Sequence, residues 1–417
     1  MQNVTKRSIP VLTLLFVGGL VIWAYPEGGS AARKSGIILG WTGCGLLLTS
    51  LFLVLREPRL ASLLGGLERM YWWHHRLGIA AYVALLAHPL LLASDPLPQA
   101  PKEAWEVVSP LSESWPVWAG WLSLLLLMAG LGATLLGRLS YRIRRALHAA
   151  LGLAVPIGMV HLILLGIDEP VEPILVAALG LLVVRYIRED WGLGAHPYVV
   201  RSVSPVSADA VEISLSPLGE PIALQPGQFA LVAFQSGRRF KGYGEFHPFS
   251  ISSIDGAAAF RVTVKALGDC TRRIQSLEPG VAARVQGAFG NFLTAPVAAP
   301  QFWIAGGIGL TPFLALLRAG RLDRPTTLIY LYRTEADALF LEELRAMAGR
   351  LPKLTLQLFA TGDDAPDPAN VLQASVDVAN GEFWLCGPPV MIETFTRFLH
   401  QRRIVNRRMH FEDFGSL

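Results

Sequence analysis

The sequence predicts a multi-domain protein: an all-α bundle of six transmembrane helices, then an antiparallel β-barrel, then a doubly wound α/β domain. Three observations carry this. The 417 residues are 52% hydrophobic and only 16% charged, with a mean hydropathy of +0.42, too apolar for an ordinary soluble chain. All the long apolar runs precede residue 190. Beyond it, short β-type runs give way near residue 300 to alternating strand and helix patterns, the rhythm of a parallel sheet. The expected domains are 1–190, 195–297 and 298–417.

Six apolar stretches, roughly 9–25, 36–55, 73–93, 116–137, 143–166 and 171–188, make up the first region. Most reach the about 20 residues that cross a bilayer. The first follows Lys6-Arg7 like a signal peptide, but "VIWAYPEGG" is a poor cleavage site, so it reads as a retained helix. Lys6, Arg7, Arg56, Arg59, Arg69, Arg138, Arg142, Arg144, Arg145, Arg185 and Arg188 fall at one face. Arg33, Lys34 and Lys102, among seven acidic residues, fall at the other. The positive-inside rule then puts both termini in the cytoplasm, with the protein multi-pass in the inner (plasma) membrane. The third and fifth helices run from inside to outside. The net charge of +4 and its distribution give no sign of nucleic-acid binding, and the lipid bilayer is the expected partner.

After Asp190, "WGLGAHPYVV" reads as a linker. "FALVAF", "FSISS", "FRVTVKAL" and "ARVQGAFG" are strands separated by turn residues, as in an antiparallel barrel. "QFWIAGG", "TTLIYLYR", "LTLQLFAT" and "EFWLCG" are later strands, with helices at "TPFLALLRAG" and "DALFLEELRAMAGR".

The membrane half places His74, His75, His88, His148 and His161 in apolar surroundings. His74 and His88 are fourteen residues apart, His148 and His161 thirteen, and each pair spans about 20 Å of helix. On parallel helices this makes two levels, with one histidine from each helix at each level. At about 100° per residue, fourteen steps end about 40° short of whole turns, so His74 and His88 share a face. Counting from His75 leaves an error of about 140°, which makes His75 a neighbour. The thirteen-step pair carries the same error of about 140°, and Pro156 between its members is able to re-phase the helix. Two imidazoles facing each other suit a haem, so two stacked b-type haems are expected. Packing histidines or another metal are the alternatives. Zinc needs more ligands, and the three cysteines (Cys44, Cys270, Cys386) have no metal-type spacing. Arg69, Arg76, Arg142, Arg144 and Arg145 are candidates to pair with haem propionates, or are plain positive-inside residues.

In the second half, "HPFSISS" (His247–Ser253) ends a strand whose backbone and serine hydroxyls suit the polar edge of a flavin. "VKALGDCT" brings Lys265, Gly268 and Thr271 to a turn whose amides suit a pyrophosphate. "AGGIGLTPF" is a glycine-rich turn between strand and helix, a phosphate cradle. "CGPPVM" puts Cys386, with Gly387 and Pro388, at the carboxyl end of the sheet. Arg333 ends "IYLYR", where it is placed to meet a 2′-phosphate and to favour NADPH. Arg318 and Arg321 are less well placed competitors.

This order of parts resembles the NADPH oxidase and ferric reductase family over nearly the whole chain. Six helices with paired histidines precede a ferredoxin-reductase-like module, and "HPFSIS", "VKALGDCT", "GGIGLTPF" and "CGPPVM" look like that module's motifs. The histidine spacing looks like the oxidase branch, and the compact chain like its prokaryotic members. The resemblance implies that His74 and His148 ligate the inner haem, and His88 and His161 the outer one. It implies that His247, Pro248, Phe249, Ser250, Ile251 and Ser252 bind FAD, with Lys265, Gly268, Asp269 and Thr271 near its phosphates. Gly306, Gly307, Gly309, Thr311 and Pro312 would line the NADPH phosphate site, and Cys386 would sit by the nicotinamide. A C-terminal aromatic covers the flavin in this family, and Phe414 occupies that place. Animal oxidases carry a second histidine one turn past the outer ligand, where this chain has Leu92.

The expected activity is electron transfer from cytoplasmic NADPH through FAD and two haems to external oxygen, giving superoxide, with no obligatory protein partner. A ferric-chelate reductase uses the same path with another acceptor. A haem-binding subunit feeding a partner protein is a third reading. A transporter is disfavoured, because the spans lack carboxylates near their centres.

Overall fold

The computed structural model describes residues 2–111, 114–135, 141–167, 169–256, 259–293, 299–320, 322–364, 367–373 and 380–412. The chain divides into two compact units, Met1–Arg56 with Leu63–Leu193, and Glu57–Ser62 with Gly194–Leu417. The expected boundary at 297/298 lies outside the described residues.

The first unit is helical. Its helices are α1 (Gln2–Trp23), α2 (Ala31–Phe52), α4 (Leu67–Ser94), α5 (Pro101–Val108), α6 (Trp115–Leu135), α7 (Tyr141–Ala150), α8 (Ala154–Leu164) and α9 (Val171–Val183). The short α3 (Pro58–Leu64) spans the break between the units. Among the described residues four helical spans are long and apolar enough to cross a membrane: Ala31–Phe52, Leu67–Ser94, Trp115–Gly132 and Ile143–Leu164. The first expected span lies on α1. The sixth lies on α9, a 13-residue α-helix that passes into a π-helical turn at Val184–Asp190. Leu20, Trp41, Cys44, Leu48, Val155, Met159, Val171, Ile174 and Ala178 pack as the buried core of this unit.

In the second unit, β1 (His196–Ser207), β2 (Ala210–Pro217), β3 (Phe229–Phe234), β4 (His247–Asp255), β5 (Ala259–Lys265) and β6 (Ala282–Phe289) close a barrel in the order β1-β2-β5-β4-β3-β6. Alternation sorts its side chains. Val211, Ile213 and Leu215 face Val264, Val262 and Phe260 across the β2–β5 ladder and fill the interior. Glu212, Ser214, Arg261 and Thr263, between them, point outward. The short α10 (Asp269–Ile274) follows β5.

A parallel sheet follows, in the order β11-β10-β7-β8-β9. Its strands are β7 (Gln301–Gly306), β8 (Thr326–Tyr332), β9 (Leu354–Ala360), β10 (Glu382–Cys386) and β11 (Met409–Glu412). Helices α11 (Thr311–Arg318), α12 (Leu341–Arg350), α13 (Pro368–Gln373) and α14 (Pro389–Gln401) connect them. The chain runs outward from β7 through β8 to β9, then returns to the other side of β7 as β10. The order therefore reverses between β7 and β10, and open sheets of this kind bind ligands at such a point.

Candidate functional site

His74 on α4 and His148 on α7 have ring centres 5.7 Å apart, and His88 lies on α4 and His161 on α8. Three of the four are oriented by backbone carbonyls. His88 Nδ1 donates to the Gly36 carbonyl at 2.8 Å, and His161 Nδ1 to the Pro116 carbonyl at 2.6 Å. His74 Nδ1 meets the Ser50 carbonyl at 3.0 Å and the Ser50 hydroxyl at 2.7 Å. A carbonyl only accepts, so the proton sits on Nδ1 and Nε2 keeps its lone pair, the form in which imidazole binds a metal. His148 Nδ1 is buried with no hydrogen-bond partner among the described residues. His75 is exposed and bonds its own helix at the Tyr71 carbonyl, 2.9 Å away.

The donor set tests which group fits. Among the described residues no three His, Cys, Asp or Glu side chains gather as a metal site. Each expected level therefore offers two imidazoles, too few for zinc and the number that would hold a haem. The thirteen-residue spacing is accommodated by a 3-10 turn at Leu151–Leu153 between α7 and α8. Pro156 has no N–H for the Gly152 carbonyl, which favours that local change. Three residues at about 120° instead of about 100° recover about 60° of the phase error.

The candidate propionate arginines separate. Arg145 pairs with Asp190 at 3.8 Å, which Arg185 and Arg56 also approach at 2.6 and 3.5 Å. Arg76 stacks on Trp72, 3.8 Å from the ring centre. Arg69 lies against Gly65. Arg144 Nε is buried without a hydrogen-bond partner among the described residues. The Arg142 side chain lies outside the described residues.

Strand alternation divides the expected flavin set. Phe249 and Ile251 belong to the barrel core, so only their backbones are left to face a ligand. Ser250, on the other face, has a buried hydroxyl with no hydrogen-bond partner among the described residues, and a flavin edge would satisfy it. The Ser252 hydroxyl donates to Glu212 at 3.0 Å and its carbonyl accepts from Arg318 at 3.2 Å, so it serves the domain junction. His247 begins the strand with Nε2 4.0 Å from Glu245, and Pro248 follows. Lys265 pairs with Asp209 at 3.4 Å. The Thr271 hydroxyl accepts from the Leu267 and Gly268 amides, both at 2.9 Å. It builds the turn and leaves those amides satisfied. Asp269 is exposed and pairs with Arg272 at 3.1 Å.

Two motifs eighty residues apart in the chain meet at the switch point. Ala305 and Cys386 are register partners at the ends of β7 and β10. A Cβ on Gly309 would collide with the Cys386 carbonyl, and one on Gly387 would come within 3.1 Å of the Gly306 backbone. Gly307 has φ +54°, suited to glycine. The absence of side chains lets the two loops touch and keeps the cradle open. Thr311 and Cys386 have their side chains turned into the protein. The Thr311 hydroxyl is buried on the Ile308 carbonyl at 3.0 Å, shaping the turn ahead of Pro312. The Cys386 side chain is fully buried in the core beneath the sheet, so a catalytic role for its sulfur does not follow from its position. Pro388 is exposed at the start of α14. Arg333 is exposed and paired with Asp363 at 2.8 Å. Phe414 and Arg321 lie outside the described residues.

Sequence reasoning missed one cluster. Arg318 lies at the end of α11, the helix that begins at the glycine cradle. It bonds Glu212 of the barrel at 2.5 Å and Glu343 of α12 at 2.8 and 2.9 Å. Glu212 was legible as a lone acid in the apolar strand "AVEISL", but its partner was not.

Three family models match in order: ferric reductase like transmembrane component over residues 39–159, FAD-binding domain over 195–284, and oxidoreductase NAD-binding domain over 303–397. The chain belongs to the NADPH oxidase and ferric reductase family. A ferric-reductase-like transmembrane domain is fused to an FAD-binding and an NAD-binding domain. The reductase subunit of an Amycolatopsis aromatic O-demethylase is 30% identical over 251 residues, 54% of this chain and 72% of that protein. A Ralstonia ferredoxin–NAD(P)+ reductase component of naphthalene dioxygenase and salicylate hydroxylase systems is 28% identical, covering 47% of this chain. The chain spans 62% of that relative and 61% of a Rhizobium meliloti flavohemoprotein. Among solved structures, the FAD/NAD-binding domain of a Vibrio cholerae nitric oxide dioxygenase aligns with 52% of this chain and 97% of its own, at 20% identity and TM-score 0.46.

Proposed function

We propose that the protein is a transmembrane NAD(P)H oxidase, carrying electrons from a cytoplasmic dinucleotide through FAD and two b-type haems to external oxygen and giving superoxide. The observation that carries this reading is the paired imidazoles, three of whose Nδ1 atoms are committed to backbone oxygens so that Nε2 is left to bind iron. When bound, FAD accepts a hydride and yields electrons singly, and each haem carries one. One dinucleotide thus supplies two oxygen molecules and releases a proton.

The chain's own residues then hold and orient. Gly306, Gly307, Gly309 and Gly387 form the dinucleotide cradle, and Ser250 offers its hydroxyl to the flavin. His74 with His148, and His88 with His161, hold the two haems. At the outer level, Leu92 packs on Gly36, where a Cβ would lie 2.8 Å from Leu92 Cδ2. That apolar packing next to the His88 anchor favours a small neutral acceptor. Ferric-chelate reduction is the second reading. It is favoured by the matched transmembrane family and by the basic Arg33 and Lys34 at the start of α2.

The test is cytochrome c reduction by purified protein with added FAD and NADH or NADPH. Superoxide formation predicts a dismutase-sensitive rate. A dismutase-insensitive rate, or a faster rate with ferric chelates than with oxygen, contradicts the oxidase reading.

A further inference from the structure

The two helix hairpins of the bundle seat their histidines with the same device. On α2, the Gly36 carbonyl accepts from His88 Nδ1, and Gly40, one turn on, lies under the ring. A Cβ on Gly40 would meet His88 Nδ1 at 2.8 Å. On α6, the Pro116 carbonyl accepts from His161 Nδ1, and Gly120, again one turn on, lies under the ring. A Cβ on Gly120 would meet His161 Nδ1 and Cε1 at 3.2 Å. In each hairpin a second contact runs the other way. The Ser50 hydroxyl donates to the His74 carbonyl at 3.1 Å beside Gly78, and the Ser123 hydroxyl donates to the Ala154 carbonyl at 2.7 Å beside Gly158. The registers agree: ten residues separate Gly40 from Ser50 and Gly78 from His88, while three separate Gly120 from Ser123 and Gly158 from His161.

We propose that Gly40 and Gly120 are matched positioning residues, each seating one outer-level histidine so that both present Nε2 to a single haem. This rests on the haem reading above. A ring pinned to a carbonyl at one end of a helical turn is able to lie flat against the helix only where the next turn carries no Cβ. An alanine would push the ring off its anchor, and a lost anchor alters ligand orientation and basicity. The device does not extend to His148. The matching carbonyl of its hairpin belongs to Ala154, and His148 lies beyond the 3-10 turn.

The test uses the full chain, purified with its haems, and reads low-temperature EPR and a potentiometric titration. The signal lost in His161→Ala or His88→Ala identifies the haem between those residues. Gly40→Ala and Gly120→Ala are both expected to shift that signal and its midpoint, Gly40→Ala more strongly, while the other haem keeps its wild-type values. Ser50→Ala is expected to shift the other haem. Gly132→Ala, where a Cβ meets nothing within 4 Å, shifts neither. Should Gly40→Ala not fold, Gly120→Ala decides alone, because there the ring needs to give by only a few tenths of an ångström. An unchanged signal in Gly120→Ala at full haem content overturns the proposal, as does a shift confined to the other haem. Wild-type protein without haem overturns instead the reading on which the proposal rests.

Discussion

Arg318 Nη1 lies 2.5 Å from Glu212 Oε1, joining α11, the helix that follows the glycine-rich turn, to strand β2 of the barrel. Both side chains are about one-tenth exposed, and Glu343 accepts from the rest of the guanidinium. A charge pair this buried is costly to break from one side, about 3 kcal/mol or more, because the remaining charge loses its partner. Arg318→Met is therefore expected to lower the temperature at which the protein releases FAD. It should also slow dinucleotide-driven ferricyanide reduction, since the cradle and the flavin strand lose their tie. Adding Glu212→Gln should recover part of the loss. Release at the wild-type temperature would show the pair to be idle.

Arg333 and Asp363 decide the second prediction. Arg333 sits at the end of β8, where this type of sheet reads the 2′ position of the ribose, but Asp363 offsets its charge at 2.8 Å. Asp363→Asn is expected to raise the ratio of kcat/KM for NADPH over NADH by several-fold, up to about tenfold. Both side chains are well exposed, so the effect should shrink at high salt. A ratio that does not move would remove Arg333 from the 2′-phosphate site.

Cys270, in the short helix α10 after β5, has its thiol pushed up to about 11 by burial and by the Glu245 carboxylate. Near neutral pH this leaves about a hundredfold less thiolate than an ordinary cysteine has. With Cys44 and Cys386 buried, alkylation of the native protein at pH 7.5 should be slow, and it should rise about tenfold per pH unit up to about pH 10. Rapid labelling at pH 7.5 would contradict this environment.

The adjacent histidines of α4 should behave differently. His74→Ala is expected to lose one of two haems, while His75→Ala, whose ring bonds its own helix, should keep both. Pyridine haemochrome quantification distinguishes them, and equal losses would undo the face assignment.

Periodicity made the bundle, barrel and parallel sheet legible, because each buries its apolar residues with a different repeat. The fourteen-residue interval likewise put His74 and His88 on one face. The thirteen-residue interval was opaque, since a local 3-10 turn leaves no mark on hydrophobic periodicity. Site residues were legible by motif but not by orientation. Ser250 and Ser252 look alike in "FSIS", yet one hydroxyl has no partner among the described residues while the other is held by Glu212. Arg318 read as a possible phosphate ligand, because its partners Glu212 and Glu343 lie 106 and 25 residues away in the chain. Gly40 and Gly120 belong to no sequence motif, and only the fold brings the His88 and His161 rings against them.

The most direct measurement is an anaerobic reduced-minus-oxidised spectrum of the purified, FAD-loaded protein on adding NADH or NADPH, with haem quantified per chain. The account predicts two haems per chain, both reduced by the dinucleotide and both reoxidised when oxygen is admitted. Protein without haem, or haems that dithionite reduces and neither dinucleotide does, would contradict it.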